Sequence, residues 1–137
     1  MILIDTSGWI EYFNNPDHKI IKDIDYGLDN ELICLGDLIY CEFLQGVKHK
    51  KELMRVKDVF NTLYKERIGG FDICEKAAQN YRFLRSIGIT VRKTIDVIIG
   101  TFCIEKGYEI IHNDNDFIYM EKNLGLISFK KQADNSF

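Results

Sequence analysis

The sequence contains short, mostly apolar runs that are each followed at once by polar residues, and this pattern constrains the fold most. Residues 1–4 precede Asp5, and residues 108–111 precede His112. Runs of this length between turn signals are typical of buried strands. Amphipathic helical stretches separate the runs, and parallel strands require crossovers of that kind. The pattern therefore predicts one α/β domain with a mostly parallel sheet of four or five strands flanked by helices.

Periodicity, capping residues and glycines predict the individual elements. Asn15 followed by Pro16 is typical of a helix start, because proline fits the first helical position. Thr94 is a candidate helix cap and Gly107 a candidate helix stop. The predicted strands cover residues 1–5, 32–35, 108–112 and 126–129, and the predicted helices cover residues 7–13, 15–30, 36–49, 50–63, 71–87, 94–106 and 117–122. Residues 1–130 are predicted to form the domain and residues 131–137 a polar tail.

Length and composition favour a cytoplasmic protein without a membrane segment. The 137 residues fit a single domain. No apolar run approaches the ~20 residues of a membrane helix, and the N-terminus lacks the features of a signal peptide. No two cysteines form a C-x-x-C pair, so they are predicted to be buried thiols of a reducing cytosol rather than zinc ligands or disulfides. They are Cys34, Cys41, Cys74 and Cys103.

The charge is distributed unevenly along the chain, although the net value is only −3. Residues 1–42 carry nine acids and two bases, and residues 94–137 carry seven acids and four bases. Between them, residues 43–93 carry twelve bases and five acids, a net +7. This basic block favours a polyanionic partner such as RNA. The alternative, that its side chains are only the solvated faces of helices, stays open at this point.

Five carboxylates stand where strands or helices begin and end, and an ordinary structural role can account for four of them. Asp5 can cap a helix. Asp96 lies in a first helical turn, where an acid complements the helix dipole. Asp114 and Asp116 suit a turn. Glu42 lies in an otherwise uncharged stretch, and a buried glutamate must be paired or bound.

Taken together, these acids predict a metal site. The carboxyl ends of parallel strands meet at one edge of a sheet, so the acids can converge there. Such a cluster without matching basic partners repels itself unless a cation neutralises it. Oxygen ligands without histidine or cysteine suit Mg²⁺ or Mn²⁺, as one or two ions. Metal-activated water next to a basic flank indicates phosphodiester hydrolysis. No nucleotide-cradling glycine loop or EF-hand loop is present.

Four segments resemble the motifs of PIN-domain ribonucleases, specifically the VapC toxins of bacterial and archaeal toxin–antitoxin pairs. They are Ile-Asp-Thr-Ser at 4–7, Glu-Phe-Leu-Gln-Gly at 42–46, Asp-Val-Ile-Ile-Gly at 96–100 and His-Asn-Asp-Asn-Asp-Phe at 112–117. The last is the most specific, and the resemblance spans essentially the whole chain. One departure is Gly100, where the family often has alanine; we expect it to affect packing more than chemistry.

The resemblance implies a three-layer PIN-like fold and a metal-dependent endoribonuclease. The implied catalytic residues are Asp5, Glu42, Asp96 and Asp114, and the implied ligands of Mg²⁺ or Mn²⁺ are Asp5, Asp96, Asp114 and, as an auxiliary, Asp116. The implied partners are RNA, a small VapB-type antitoxin that covers the acidic cleft, and a second copy of the chain in a homodimer.

Further residues are candidates to contact the substrate or to support the acids. The resemblance implies such a role for a hydroxyl beside the first aspartate, which is Thr6 or Ser7. The candidates for phosphate contacts are Arg55, Lys57, Arg82, Arg85, Arg92 and Lys93. Two alternatives remain at this stage: a non-catalytic PIN-like binding module and a small-molecule phosphohydrolase.

Overall fold

Two helices separate each strand from the next along residues 1–132, the part of the chain that the computed structural model describes. The elements are β1 (Ile2–Ile4), α1 (Thr6–Asn14), α2 (Ile21–Asp29), β2 (Ile33–Gly36), α3 (Asp37–Gln45), α4 (Lys50–Phe60), β3 (Tyr64–Glu66), α5 (Phe71–Ser86), α6 (Thr94–Lys106), β4 (Glu109–Ile111) and α7 (Asn115–Leu124). The α/β class predicted from the sequence is confirmed.

The four strands form one parallel sheet in the order β3-β2-β1-β4. Leu3 of β1 lies opposite Cys34 of β2 on one side and Ile110 of β4 on the other. The chain adds β2 and β3 on one side of β1 and returns to place β4 on the other. The sheet therefore has a switch point between β1 and β4, and α/β proteins place their sites at the carboxyl edge of such a point.

The core is built on the strands and an aromatic cluster beneath α1. All three residues of β1 are buried, as a strand covered on both faces requires. Trp9 of α1 is fully buried and its ring lies 4.9 Å from that of Phe60. Phe43 of α3 packs on Phe60 at 5.5 Å. Within residues 1–132, the structure contains no helix long and apolar enough to pass through a membrane.

The helix predicted from Asn15 begins later than expected, at Ile21. Asn15 ends the preceding helix instead, since its N–H donates to the carbonyl of Glu11. The chain then turns, with the His18 N–H bonded to the Asn15 carbonyl. The His18 ring accepts from the N–H of Ile20. The prediction that a helix starts at Asn15-Pro16 was wrong, because Asn15 is the C-terminal cap of α1.

The sheet also differs from the prediction at its edges. The strand Tyr64–Glu66 was missed, because its polar and mostly exposed residues give no apolar run. The strand predicted at 126–129 was wrong, since that segment contributes only an isolated bridge between Ser128 and Ile110. Residues 131 and 132 are described, and the remainder of the predicted tail, 133–137, lies outside the described residues.

Smaller differences concern helix ends and thiols. Helix α3 ends at Gln45 rather than near residue 49. Lys93, not Thr94, occupies the cap position of α6, and no side chain caps that helix. The left-handed Gly107 ends α6 as predicted, at a φ of 70°. All four cysteines are free thiols; Cys34 and Cys103 are buried, whereas the predicted burial of Cys41 and Cys74 was wrong, because both are exposed.

Gly100 packs against Met120 of α7, so replacing it tests the expectation that this position affects packing. A Cβ at Gly100 would lie well inside contact distance of the Met120 sulfur, and Met120 is fully buried. Overpacking costs about 1–3 kcal/mol, and alanine recovers about 1 kcal/mol of helix propensity. We expect Gly100→Ala to lower the melting temperature in the wild type and to raise it in a Met120→Ala background. Equal shifts in the two backgrounds, measured by thermal denaturation, would contradict the contact.

Candidate active site

Asp5 directly follows β1, where it caps α1 and is buried in the interior. Its Oδ2 atom accepts from the Ser7 N–H at 3.1 Å and from the Ser7 hydroxyl at 2.8 Å. The side chain is buried, and its Oδ1 atom has no hydrogen-bond partner among residues 1–132. Burial raises the pKa of Asp5, although the bonds from Ser7 lower it in part. The capping interpretation is thus confirmed, and it accounts for only one of the two oxygens.

Asp96 is the second buried carboxylate, in the first turn of α6. Its Oδ2 atom also has no partner in the described part of the chain. Burial, followed by the charges of Asp5 and Asp114, raises the pKa of Asp96 to about 7. A buried carboxylate that gains no hydrogen bond costs stability, because its charge has lost its hydration. Val97 and Ile99, which follow Asp96 in α6, are buried as well.

Asp114 and Asp116 complete a group with Asp96 at the switch point. Each of the three offers one carboxylate oxygen, and these oxygens all lie within 4.8 Å of one another. Asp114 is the cap of α7, where its Oδ1 atom accepts from the Asp116 N–H at 2.9 Å. Burial and the charge of Asp114 raise the pKa of Asp116. The N-terminal ends of α6 and α7 carry the three residues of the group.

Glu42 lies beside Asp5 rather than inside the group of three. It is half-buried on α3, and its Oε1 atom accepts from the Thr6 hydroxyl. Its charge contributes to the raised pKa of both Asp5 and Asp96. The five acids that the sequence singled out are therefore brought to one edge of the sheet. The prediction of a buried glutamate was only partly right, because the neighbourhood leaves room for solvent.

The turns after β1 and after β4 are tied together by hydrogen bonds. The Ser7 hydroxyl accepts from the N–H of Asn113 at 2.9 Å. The ring of His112 accepts from the N–H of Asp114 at 3.2 Å, and its Nε2 atom lies 3.1 Å from Glu121. Glu121 was missed, because only the course of α7 brings it back to this turn.

Arg92 and Lys93 stand at the rim of the cluster, which is a correction to the expectation of no basic neighbours. Lys93 lowers the pKa of Asp96 in part, and Arg92 does the same for Asp116. Neither forms an ion pair with an acid of the cluster in the described residues. The two cations therefore offset the cluster only from a distance.

The other basic candidates lie elsewhere. Arg55 donates to the Phe13 carbonyl and lies over the Phe13 ring. Arg82 and Arg85 line a separate cavity on α5. Of the six basic residues predicted to contact phosphates, Arg92 and Lys93 are the two that line the groove containing Asp114 and Asp116.

The donor set fits a divalent metal ion. Two buried oxygens, Asp5 Oδ1 and Asp96 Oδ2, lack partners, and the group formed by Asp96, Asp114 and Asp116 can supply three ligand atoms. The convergent donors are carboxylate oxygens, which hard divalent cations prefer. A cation would also remove the mutual repulsion that raises the pKa of Asp96.

Comparisons with known proteins place this arrangement in a family. Residues 2–123 match the family model of the PIN domain. Ribonuclease VapC11 of Mycobacterium tuberculosis is 31% identical over 134 residues, which cover 95% of this chain and all of that protein. The VapC ribonuclease Mb1587 of Mycobacterium bovis gives the same identity and coverage.

Solved structures share the fold at lower identity. A chain of the DNA-bound VapBC2 complex of Rickettsia felis aligns with a TM-score of 0.72 and 18% identity, over 94% of this chain and 98% of that one. VapC20 of Mycobacterium tuberculosis, described as a toxin that cleaves the sarcin-ricin loop, aligns with a TM-score of 0.67 and 15% identity, over 96% and 100%. At such identities the alignments support the fold alone. The family-model match over residues 2–123 and the 31% identity to Ribonuclease VapC11 show that this chain belongs to the PIN-domain family, among the VapC ribonucleases.

Proposed function

We propose that this VapC ribonuclease is an endoribonuclease that hydrolyses RNA phosphodiester bonds with Mg²⁺ or Mn²⁺, as the toxin of a toxin–antitoxin pair. The observation that carries the proposal is the pair of unpartnered oxygens on the buried Asp5 and Asp96, beside the carboxylates of Asp114 and Asp116. Evolved cores rarely keep such atoms without a ligand. One or two ions would be held there, by Asp5, Asp96 and Asp114 with support from Asp116.

Each side chain has a role that follows from its surroundings. A divalent ion held by Asp5, Asp96 and Asp114 would supply a water of lowered pKa and would neutralise charge on the phosphate. Glu42 orients the attacking water, and the Thr6 hydroxyl holds its carboxylate in place. Ser7 holds Asp5 so that the second oxygen of that carboxylate points away from the helix cap. Arg92 and Lys93 at the rim contact the phosphate.

The partners are part of the same proposal. Chains of VapBC complexes from Rickettsia felis and Salmonella typhimurium share this fold, which supports a VapB-type antitoxin that covers the acidic cleft. We also propose a homodimer and a cytoplasmic location. A non-catalytic binding module and a small-molecule phosphohydrolase are the alternatives that the experiments below would reveal.

The first prediction concerns metal-linked stability. Because the ion binds the folded chain, we expect millimolar Mg²⁺ or Mn²⁺ to raise the melting temperature, with a stabilisation of about 2.7 kcal/mol at a hundredfold excess over Kd. Asp96→Asn should remove most of this shift, and Asp58→Asn, at an exposed position of α4, should keep it. A melting temperature indifferent to both metals would favour the binding module.

The second prediction concerns pH without metal. The pKa of Asp96 in the folded chain, about 7, lies above its ordinary value of 3.8, so folding favours the protonated form. Stability from this group is fully present below about pH 4 and is lost progressively until the pH passes about 7. We expect the wild type to lose stability relative to Asp96→Asn between about pH 4 and about pH 7 in denaturant titrations, with a constant difference at higher pH. A constant difference between the two proteins across this range would contradict the raised pKa.

The third prediction concerns catalysis. Asp5→Asn and Asp96→Asn should each lower the rate of RNA cleavage by about a hundredfold or more, since each removes a metal ligand and its charge. Asp58→Asn serves as the matched control and should cleave like the wild type. The measurement is cleavage of single-stranded RNA with Mg²⁺ or Mn²⁺, run beside a chromogenic phosphate ester. Equal cleavage of RNA by all four proteins would refute the assignment, and turnover of the ester alone would favour a small-molecule phosphohydrolase.

A further inference from the structure

A groove of about 1100 Å³ leads away from the acid cluster along the surface. One end contains Asp114 and Asp116 together with Arg92 and Lys93. The other end lies between the segment before α2 and the chain after α7, where residues 128–131 form a wall. The groove is therefore continuous with the candidate active site and is larger than a single small ligand needs.

Basic residues outnumber acids in the groove beyond the cluster, where its basic lining residues are Lys19, Lys130 and Lys131. The two acids in the lining outside the cluster, Asp23 and Glu121, are both engaged. Asp23 accepts from the backbone N–H of Lys131 at 2.8 Å, and Glu121 contacts His112. Among the described residues, the Lys19 and Lys130 side chains form no hydrogen bond or ion pair, so their charges at this end are available to a ligand.

The wall that presents the lysines is held in place. The N–H of Phe129 donates to the Ile110 carbonyl at 2.8 Å. The Phe129 ring stacks on that of Tyr26 of α2, with centroids 5.7 Å apart. The Lys131 ammonium lies over the same Tyr26 ring. A cationic wall with a fixed backbone binds an anion at a lower entropic cost than a mobile tail does.

We propose that this groove holds the RNA strand that flanks the scissile phosphate, with Lys19 and Lys130 contacting its phosphates. This inference rests on the proposed ribonuclease function. A polyanion fits because the cations are spread along the groove rather than gathered at one point. Tyr119, which is 40% exposed in the lining, offers a ring on which a base stacks.

The test compares two double variants of equal charge. Lys19→Gln with Lys130→Gln removes the proposed contacts. Lys22→Gln with Lys122→Gln removes exposed lysines of α2 and α7 that do not line the groove. Binding is measured by fluorescence anisotropy with a labelled, randomised single-stranded RNA of about 15 nucleotides, in an Asp96→Asn background. Each lost phosphate contact on a single strand lowers the salt slope by about 0.7, so the groove variant should lose about 1.4 and the control nothing.

Cleavage and lysine footprinting supply independent readouts. In the chain that carries Asp96, the groove variant should raise KM for the long RNA several-fold and leave cleavage of a dinucleotide unchanged. In the wild type, bound RNA should protect Lys19 and Lys130 from acetylation and leave Lys122 reactive. An unchanged salt slope with unprotected Lys19 and Lys130 would overturn the inference and assign the groove to a protein partner. A wild type that binds RNA with protected lysines but cleaves nothing would refute the proposed function and not the groove.

Discussion

The structure depends on the position of β1 between β2 and β4. Parallel pairing on both sides aligns the carboxyl ends of the three strands at one edge. Asp5 follows β1 and Asp114 comes soon after β4, so the backbone pairing of these two strands brings the carboxylates to the same edge. The cost of gathering like charges is met by burial of the apolar strand residues, such as Leu3 and Ile110, which are fully buried.

Packing of α1 on the sheet sets the fine geometry of that edge. A Cβ at Gly8 would lie 2.9 Å from the Ile4 side chain and 3.2 Å from the Ile111 carbonyl oxygen. The absent side chain therefore lets the first turn of α1 approach both β1 and β4. That approach puts the Ser7 hydroxyl within reach of Asp5 and of the Asn113 N–H. The close approach of α1 to β1 and β4 thus connects the turn that carries Asp5 to the turn that carries Asp114.

The sequence predicted the acids better than the edges of the fold, and the reason is physical. Asp5 and Asp96 border apolar runs, and such runs are visible in the sequence because burial demands them. The strand Tyr64–Glu66 is an edge strand with polar, exposed residues, so its pairing with β2 leaves no pattern. Asn15 could have served either helix, and only the preceding hydrogen bond to Glu11 decides which.

The position of Glu121 and the course of the groove depend on contacts across the fold, which no local pattern encodes. Residues 128–131 illustrate this. Their sequence predicts a strand followed by a polar tail. In the structure, Phe129 stacks on Tyr26 of α2, and the Lys131 N–H donates to Asp23 of the same helix. These contacts with an aromatic ring and a carboxylate of a helix distant in sequence fix the position of the segment. The prediction of a polar tail from residue 131 therefore missed that residues 128–131 form a wall of the groove.

The separation of charge around the switch point favours a substrate and an ion that bind together. Asp5 and Asp96 are buried and lack partners for one oxygen each, whereas Arg92 and Lys93 stay at the rim without pairing to them. Direct ion pairs would have quenched both sets of charges. Keeping them apart leaves the carboxylates available to a cation and the rim available to an anion. A metal ion in the carboxylates with a phosphate across the rim would neutralise both, which is a charge arrangement suited to metal-assisted phosphodiester hydrolysis.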